Sequence, residues 1–158
     1  MTDLDLCYLP ATDAIKRFKA KTLSPVELLD ALIRRAEEVE PVINAFTYRH
    51  FDEAMDKAKK AEAKYASGKR TRALEGLPIG IKDENLIKGK PTSSGSLIMK
   101  DFVADRTSVG NERILRAGGI VHARTATPEF SSAVYTNSRL WGGTRNPWNP
   151  EFTPGGSS

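Results

Sequence analysis

Lys82 is the residue whose type and position first suggest chemistry. It follows the apolar run 77–81, LPIGI, and precedes two acidic residues. Burial disfavours the charged form of a lysine, so a lysine here could act as a general base toward a serine hydroxyl. The alternative is structural: a lysine at a strand end reaches toward solvent and pairs with Asp83 or Glu84. Taken alone, Lys82 leaves both interpretations open.

The segment 154–158, PGGSS, offers groups suited to the same chemistry. Its glycines allow a sharp turn that presents backbone amides to an oxyanion or a phosphate, and its serine hydroxyls can relay protons. A flexible Gly/Ser linker is the alternative interpretation. The glycines are not followed by the Lys-Ser/Thr pair of a nucleotide-binding P-loop, which excludes that motif.

The composition argues against several other classes of function. Among 158 residues there is one cysteine, Cys7, and two histidines, His50 and His122, too few for a disulfide framework or a His/Cys zinc site. The formal charge of +4 is spread without any run of more than two like charges, whereas nucleic-acid binding needs a concentrated basic face. The hydrophobic content of 39% is that of a globular chain, and no apolar stretch approaches the roughly 18 residues of a membrane span. The acidic start, MTDLDLCYLP, lacks the basic region of a secretory signal, so we expect a cytoplasmic protein.

The first half of the chain has the pattern of helices. Ser24-Pro25-Val26-Glu27 combines a capping serine, a proline at the first helical position and a glutamate that closes a capping box. Apolar residues then recur at helical spacing, and we expect this helix to end at Pro41. A shorter helix is predicted from Asp13, capped by Thr12. A third is predicted over 51–66.

The second half has the pattern of an α/β fold. A buried strand is predicted over 77–81 and another over 120–123, in addition to a short strand within 42–46 of the first half. Before the last strand, a helix should begin at Thr107 or Ser108 and end at Arg116. We expect its apolar residues to face inward: Val109, Ile114 and Leu115.

Three motifs in this order and spacing resemble the amidase signature family of serine-dependent amide hydrolases. They are LEGLPIGIKDENLIKGKPTSSGS, AGGIVHARTATPEF and GGTRNPWNPEFTPGGSS, and the helical segment SPVELLDALIRRAEEVEPVINAF is similar to that family's N-terminal region. The resemblance implies an α/β fold with N-terminal helices followed by part of a mixed β-sheet with flanking helices, an incomplete amidase signature fold. It also implies one amidase domain, with 1–73 as a helical lead-in and 74–158 as the start of the catalytic core.

The resemblance assigns roles to individual residues. Lys82 falls at the position of the family's catalytic lysine, and Ser157 at that of its bridging serine, which follows a cis peptide bond. The neutral lysine takes a proton from the bridging serine, which activates a second serine to attack the amide carbonyl and form an acyl-enzyme. Ser131 and Ser132 fall where family members line the substrate pocket. No cofactor and no metal are implied.

The family's nucleophilic serine follows a further Gly- and Ala-rich stretch, and Ser158 is not its equivalent. We therefore expect this chain to be an N-terminal fragment of an amidase that hydrolyses amide C–N bonds, and to be inactive alone. Without the following residues, the Gly156–Ser157 bond should be trans or disordered, with Ser157 out of reach of Lys82. The expected substrate is a small-molecule amide, with no nucleic-acid or membrane partner, and a homodimer is left open.

Two alternatives remain at this point. One is the amidase subunit of a tRNA-dependent amidotransferase, although TPEF at 127–130 favours a general amidase, because the amidotransferase subunit more often has an acidic residue before EF. The other is a truncated binding module without activity. The DNA that follows the codon of Ser158 would separate an enzyme from such a module.

Overall fold

The structure is a computed structural model that describes residues 2–157. The described residues before Leu74 form four helices, within the two to four that the sequence predicts for that region. Three occupy the predicted segments, and the fourth, Asp3–Cys7, is additional. The described elements, in chain order, are α1 (Asp3–Cys7), α2 (Ala11–Ala20), α3 (Pro25–Ile43), β1 (Phe46–Arg49), α4 (Phe51–Ala66), β2 (Pro78–Lys82), α5 (Val109–Arg116), β3 (Ile120–Thr125), β4 (Asn137–Ser138) and β5 (Gly142–Gly143), with a 3₁₀ turn at Glu129–Ser131. The predicted α/β class, with helices first and part of a mixed sheet second, is confirmed.

The chain forms two compact units. The first unit consists of the residues up to Glu38, His50–Ile79 and Arg113–His122. The second consists of Val39–Arg49, Gly80–Glu112 and the residues from Ala123 onward. Every residue proposed from the sequence for catalysis or substrate binding belongs to the second unit.

The core of the first unit is built by the apolar faces of its helices. Small residues of α4 pack against Leu29 of α3, and Phe18 of α2 packs with Tyr65 at a ring-centroid distance of 5.7 Å. The start of α3 has the predicted capping box: the Glu27 N–H donates to Ser24 Oγ (3.0 Å), and the Ser24 N–H donates to the Glu27 carboxylate (2.7 Å). This pair satisfies amides that have no partner within the helix.

The end of α3 differs from the expectation. The helix continues past Pro41 to Ile43, because a proline in the last turn removes only one backbone donor. Asn44 then adopts a left-handed conformation (φ 52°), and the Glu40 carboxylate accepts the next two backbone N–H groups, at 3.0 and 2.9 Å. The strand predicted within 42–46 therefore begins only at Phe46.

Two predicted details in other helices are also wrong. Helix α2 begins at Ala11 after Pro10, and the Thr12 side chain does not cap it. Val109 is 64% exposed rather than directed inward, because it is the first residue of α5. The buried residue of that helix is Asn111, whose amide donates to the carbonyls of Asn85 and Leu86 at 3.2 and 3.0 Å.

The three-stranded sheet has the order β1-β3-β2. Strands β1 and β3 are antiparallel, with Arg49 opposite Ala123. Strands β2 and β3 advance in the same direction: the Ile120 N–H donates to the Leu77 carbonyl, and the Asp83 N–H to the Thr125 carbonyl, both at 2.9 Å. Lys82 lies at the carboxyl end of β2, the edge at which α/β sheets hold their functional groups.

Among the helices within residues 2–157, none has both the length and the apolar character that crossing a membrane requires.

Candidate active site

Lys82 and Ser157 lie in direct contact in the second unit. The Lys82 Nζ is 2.8 Å from the Ser157 Oγ, within the range over which a proton passes between a base and a hydroxyl. The Lys82 side chain is 15% exposed, so the pair is largely shielded from water. The structure therefore brings together the two residues that the sequence proposed for catalysis.

The segment that carries Ser157 is held by residues 134–136. Both the N–H and the side-chain hydroxyl of Thr136 donate to the Gly155 carbonyl, at 3.2 and 3.4 Å. Gly156 lies so close to the Tyr135 backbone that a Cβ at this glycine would be 3.2 Å from it. The Gly156–Ser157 bond is cis, so the expectation of a trans or disordered bond, with Ser157 out of reach, is wrong. The restraint on this segment comes from preceding residues, and Ser158 lies outside the described part of the chain.

Asp83, next to Lys82, points into the second unit and is fully buried. Its carboxylate accepts hydrogen bonds from the Ser93 hydroxyl and the Ser93 N–H, and lies 3.7 Å from the buried Arg124 guanidinium. Burial raises the pKa of the Asp83 carboxyl, while its hydrogen bonds and the Arg124 charge oppose that shift. Arg124 also donates to the carbonyls of Lys82 and Asn85, at 3.2 and 2.8 Å. This pair fixes the backbone that carries Lys82.

Trp141 connects this buried pair to the hairpin of β4 and β5. Its indole N–H donates to Ser93 Oγ at 2.8 Å, and its ring packs edge-on against Tyr48 at 5.0 Å. The Asn44 side chain donates to the carbonyls of Trp141 and Gly143, at 2.8 and 3.3 Å. These contacts position the hairpin that precedes the Ser157 segment.

Of its two acidic neighbours, Lys82 forms an ion pair with Glu84. The Glu84 carboxylate is 3.3 Å from Lys82 Nζ, whereas Asp83 faces away. Asp83 and Glu84 lie in the turn that follows β2, in which the Asn85 N–H donates to the Lys82 carbonyl at 3.0 Å. In this turn Asp83 faces the buried Arg124 and Glu84 reaches the amine. Lys82 thus contacts both the Ser157 hydroxyl and the Glu84 carboxylate. The ion pair with an acidic neighbour and the proposed catalytic contact with a serine, which the sequence offered as alternatives, are both present.

The two serines proposed for the substrate pocket have different surroundings. Ser131 donates to the Glu84 carboxylate, and its hydroxyl is 3.0 Å from Thr127 Oγ1. Ser132 is exposed and donates to the Glu129 carbonyl at 2.7 Å. The structure links Ser131 to Lys82 through Glu84 but does not bring Ser132 to that group.

Sequence reasoning did not single out Ser93, Arg124 or Trp141 as parts of this site. Each lies far along the chain from Lys82 or has no local pattern that distinguishes it. The only available signal was that a buried strand, 120–123, is followed directly by a charged residue. Such a charge needs a buried partner, and Asp83 is that partner.

The first unit contains a cavity of about 440 Å³, lined partly by Lys57, Lys64, Arg72 and Glu75. None of the residues proposed from the sequence for catalysis or substrate binding lines it. Across residues 2–157, no group of three or more His, Cys, Asp or Glu side chains has an arrangement that could hold a metal ion.

Comparison with known sequences gives consistent matches. A family model described as Amidase matches residues 27–158. A glutamyl-tRNA(Gln) amidotransferase subunit from Gloeothece citriformis is 36% identical over 138 residues, covering 87% of this chain and 29% of the relative. The acylamidase of Rhodococcus erythropolis is 34% identical over 158 residues, covering the whole chain and 33% of the relative.

Solved structures give the same match at the level of the backbone. A bacterial aryl acylamidase of the amidase signature enzymes superposes with a TM-score of 0.89 at 28% identity, over 96% of this chain and 32% of that one. Fatty acid amide hydrolase superposes with a TM-score of 0.92 at 26% identity, over 99% of this chain and 28% of that one. The chain thus spans about a third of the length of the proteins that it matches.

Proposed function

Since the chain belongs to the amidase family, we propose that it supplies the Lys82–Ser157 part of a Lys–Ser–Ser relay in an enzyme that hydrolyses carboxylic amide C–N bonds. The nucleophilic serine of this relay is contributed by residues other than the 158 of this chain. The observation that carries the proposal is the 2.8 Å contact between Lys82 Nζ and Ser157 Oγ. It joins two residues from separate motifs, at the positions that the family resemblance assigns to lysine and bridging serine.

In the proposed reaction, Lys82 accepts the hydroxyl proton of Ser157, and Ser157 accepts the proton of the nucleophilic serine. That serine adds to the amide carbonyl carbon. The C–N bond then breaks as the relay returns a proton to the leaving nitrogen, and an acyl-enzyme and an amine or ammonia result. Water, deprotonated by the same relay, adds to the ester and releases the carboxylic acid.

Ser131 is the better supported of the two proposed pocket residues. Its hydroxyl reaches the carboxylate that contacts Lys82, so a substrate positioned by Ser131 would lie near the relay. The Ser132 hydroxyl is engaged by the Glu129 carbonyl. Only the exposure of Ser132 supports its assignment as a residue that lines the substrate pocket.

The setting of this enzyme is also a proposal. We infer a cytoplasmic protein that acts on a small-molecule amide without a cofactor, with 1–73 and 74–158 belonging to one amidase domain. A homodimer is compatible with this assignment. The chemistry needs neither a nucleic acid nor a membrane as a partner.

A second candidate function is that of the amidase subunit of a tRNA-dependent amidotransferase. The observation that favours it is the 36% identity with a relative of that name. Such a subunit would pass ammonia to a partner instead of releasing it. Co-purification of a second protein, with glutamine-dependent transfer of ammonia to that protein's substrate, would support it over a free amidase.

The experiment that tests the main proposal is a chimera. The aligned third of the R. erythropolis acylamidase is replaced by this chain, and ammonia or amine release is measured from simple amides. We expect the chimera to be active and its Lys82→Ala variant to lose about three orders of magnitude in rate or more. Lys100→Ala, which removes an exposed lysine of the same unit, is the matched control.

The 158-residue chain alone should release no ammonia above the Lys82→Ala background, because its relay has no nucleophile. A chimera that keeps its rate after Lys82→Ala would contradict the assignment of the lysine. A folded chimera with no activity, which binds amides unchanged, would support the binding module instead.

A further inference from the structure

We propose that Glu84 is a positioning residue, which holds the Lys82 amine against Ser157 and couples it to the Ser131 turn. The part of this inference that concerns catalysis rests on the proposed function. The structural part of it concerns only residues of this chain and can be tested without any activity.

The two oxygens of the Glu84 carboxylate have different partners. Oε1 is 3.3 Å from Lys82 Nζ, and Oε2 accepts the hydrogen bond of the Ser131 hydroxyl. Ser131 Oγ is in turn 3.0 Å from Thr127 Oγ1, a side chain with 1% exposure. The contacts form a continuous path from the Ser157 hydroxyl, through the lysine and the carboxylate, to a buried threonine.

The backbone on both sides places Glu84 in this path. A tight turn follows β2, in which the Asn85 N–H donates to the Lys82 carbonyl at 3.0 Å, and the buried Asp83 anchors that turn. On the other side, Phe130 and Ser131 both adopt left-handed conformations, with φ of 51° and 54°. This conformation is rare for residues other than glycine, and here it directs the Ser131 hydroxyl toward the carboxylate.

A lysine amine needs such an anchor because four flexible methylenes separate it from the backbone. Ser157 supplies one contact at 2.8 Å, and Glu84 supplies a second at 3.3 Å. Two partners restrict the position of the amine more than one. Since small displacements of a catalytic group slow a reaction strongly, the second contact matters for rate.

The link to Ser131 gives the arrangement a further consequence. Residues around Ser131 are those proposed to line the substrate pocket, so a substrate that displaces this hydroxyl also acts on Glu84. Glu84 thereby couples occupancy of the pocket to the position of the general base. Removal of either the carboxylate or the Ser131 hydroxyl should break the same coupling, and the two changes should not be additive.

The first test uses the 158-residue chain and measures how fast each lysine is acetylated by acetic anhydride, with peptide mapping by mass spectrometry. Glu84→Gln keeps the size of the side chain but removes its charge. We expect acetylation of Lys82 to become about tenfold faster, because the amine loses the contact that anchors it at 3.3 Å and becomes more accessible to the reagent. Glu84→Asp should keep the slow rate at least in part, and Glu38→Gln, an exposed change in the first unit, should leave it unaltered.

Circular dichroism and thermal unfolding of each variant identify any general loss of structure, which would also accelerate acetylation of the other partly buried lysines, Lys64 and Lys90. If Glu84→Gln is folded and Lys82 reacts at the wild-type rate, the inference is wrong. If Glu84→Gln does not fold, Ser131→Ala provides a second test, because it removes the hydrogen bond to one oxygen of the Glu84 carboxylate. An unchanged rate of Lys82 acetylation in that variant would also overturn the proposed path.

The catalytic part is tested in the chimera described above. Glu84→Gln should lower kcat by about tenfold to a hundredfold with a smaller change in KM, and Glu84→Asp should recover part of that loss. An inactive wild-type chimera would count against the proposed function, while the acetylation rates would still decide the role of Glu84. An active chimera in which Glu84→Gln changes neither kcat nor the acetylation of Lys82 would refute this inference and leave the proposed function intact.

Discussion

The amine of Lys82 contacts the hydroxyl of Ser157 at 2.8 Å, although 75 positions separate the two residues in the chain. One residue ends a strand of the three-stranded sheet, and the other lies in a loop that residues 134–136 hold in place. The contact therefore depends on two different parts of the second unit, and loss of either part should separate the pair.

Replacement of Ser157 by Ala in the chimera should lower the rate of amide hydrolysis about as strongly as replacement of Lys82. Because the two residues act as one relay, the double variant should be little worse than either single variant. Steady-state rates of the two single variants and the double variant give this comparison. Losses that multiply in the double variant would show that the residues act independently.

Replacement of Asp83 by Asn should destabilise the chain by about 3 kcal/mol, since it leaves the buried Arg124 guanidinium without its counter-charge. Arg124→Met should have a cost of the same order, because it strips the buried carboxylate of its cation. Urea unfolding of both single variants and of the double variant would give the coupling energy. We expect the double variant to lose less unfolding free energy than the sum of the losses of the two single variants. Strictly additive losses would contradict the pairing.

Glu75 should make the stability of the chain depend on acid pH. Its carboxylate is held by Arg72 (2.7 Å) and Lys64 (3.1 Å), and chiefly the Arg72 hydrogen bond lowers its pKa from 4.5 to about 2. Its contribution is therefore complete above pH 4.5 and is lost as the pH falls toward 2. At pH 7, the free energy of unfolding of the wild type, measured with urea, should exceed that of Glu75→Gln by about 2 kcal/mol.

That difference should shrink below pH 4.5 and be nearly absent at pH 2. The exposed Glu38→Gln variant serves as the control and should follow the wild type at every pH. A gap between wild type and Glu75→Gln that stays constant from pH 7 to pH 2 would show that the carboxylate charge is not its source.

Gly95→Ala should destabilise the second unit more than Gly89→Ala. Both glycines have left-handed conformations, with φ of 67° and 76°, so the backbone strain of the new residue is matched. A Cβ at position 95, however, would lie 2.7 Å from the Thr127 carbonyl oxygen, whereas no described atom beyond the chain neighbours lies within 4 Å of one at position 89. The clash should add about 1–3 kcal/mol, measured as the difference between the two variants in urea unfolding, and equal losses would contradict it.

The local elements could be predicted from the sequence because their signals are local. The capping box at Ser24 and Glu27 has the predicted hydrogen bonds, and α4 has the predicted bounds, Phe51–Ala66. The end of α3 could not be predicted from Pro41, because the Glu40 side chain and the left-handed Asn44 decide where the chain turns. Those depend on packing of the following strand.

The candidate site was predictable only in part. The motif positions indicated Lys82 and Ser157, but not that residues 134–136 would hold the Ser157 segment. Both Asp83 and Glu84 were open as partners of the lysine, and the choice depends on the turn after β2 and on the distant Arg124. Contacts between residues so far apart leave no periodicity to be recognised in the sequence.

The hydrogen bonds of Asn44 bear on the order in which the second unit folds. Asn44 binds the carbonyls of Trp141 and Gly143, and its own carbonyl accepts from Thr144 at 2.8 Å. These bonds close a loop of about one hundred residues. The conformational entropy of the chain that this closure removes must be lost before any of the bonds can form. We expect helices such as α4, which need no such closure, to form before the hairpin docks onto Asn44. We therefore also expect the Lys82–Ser157 contact to form late in folding.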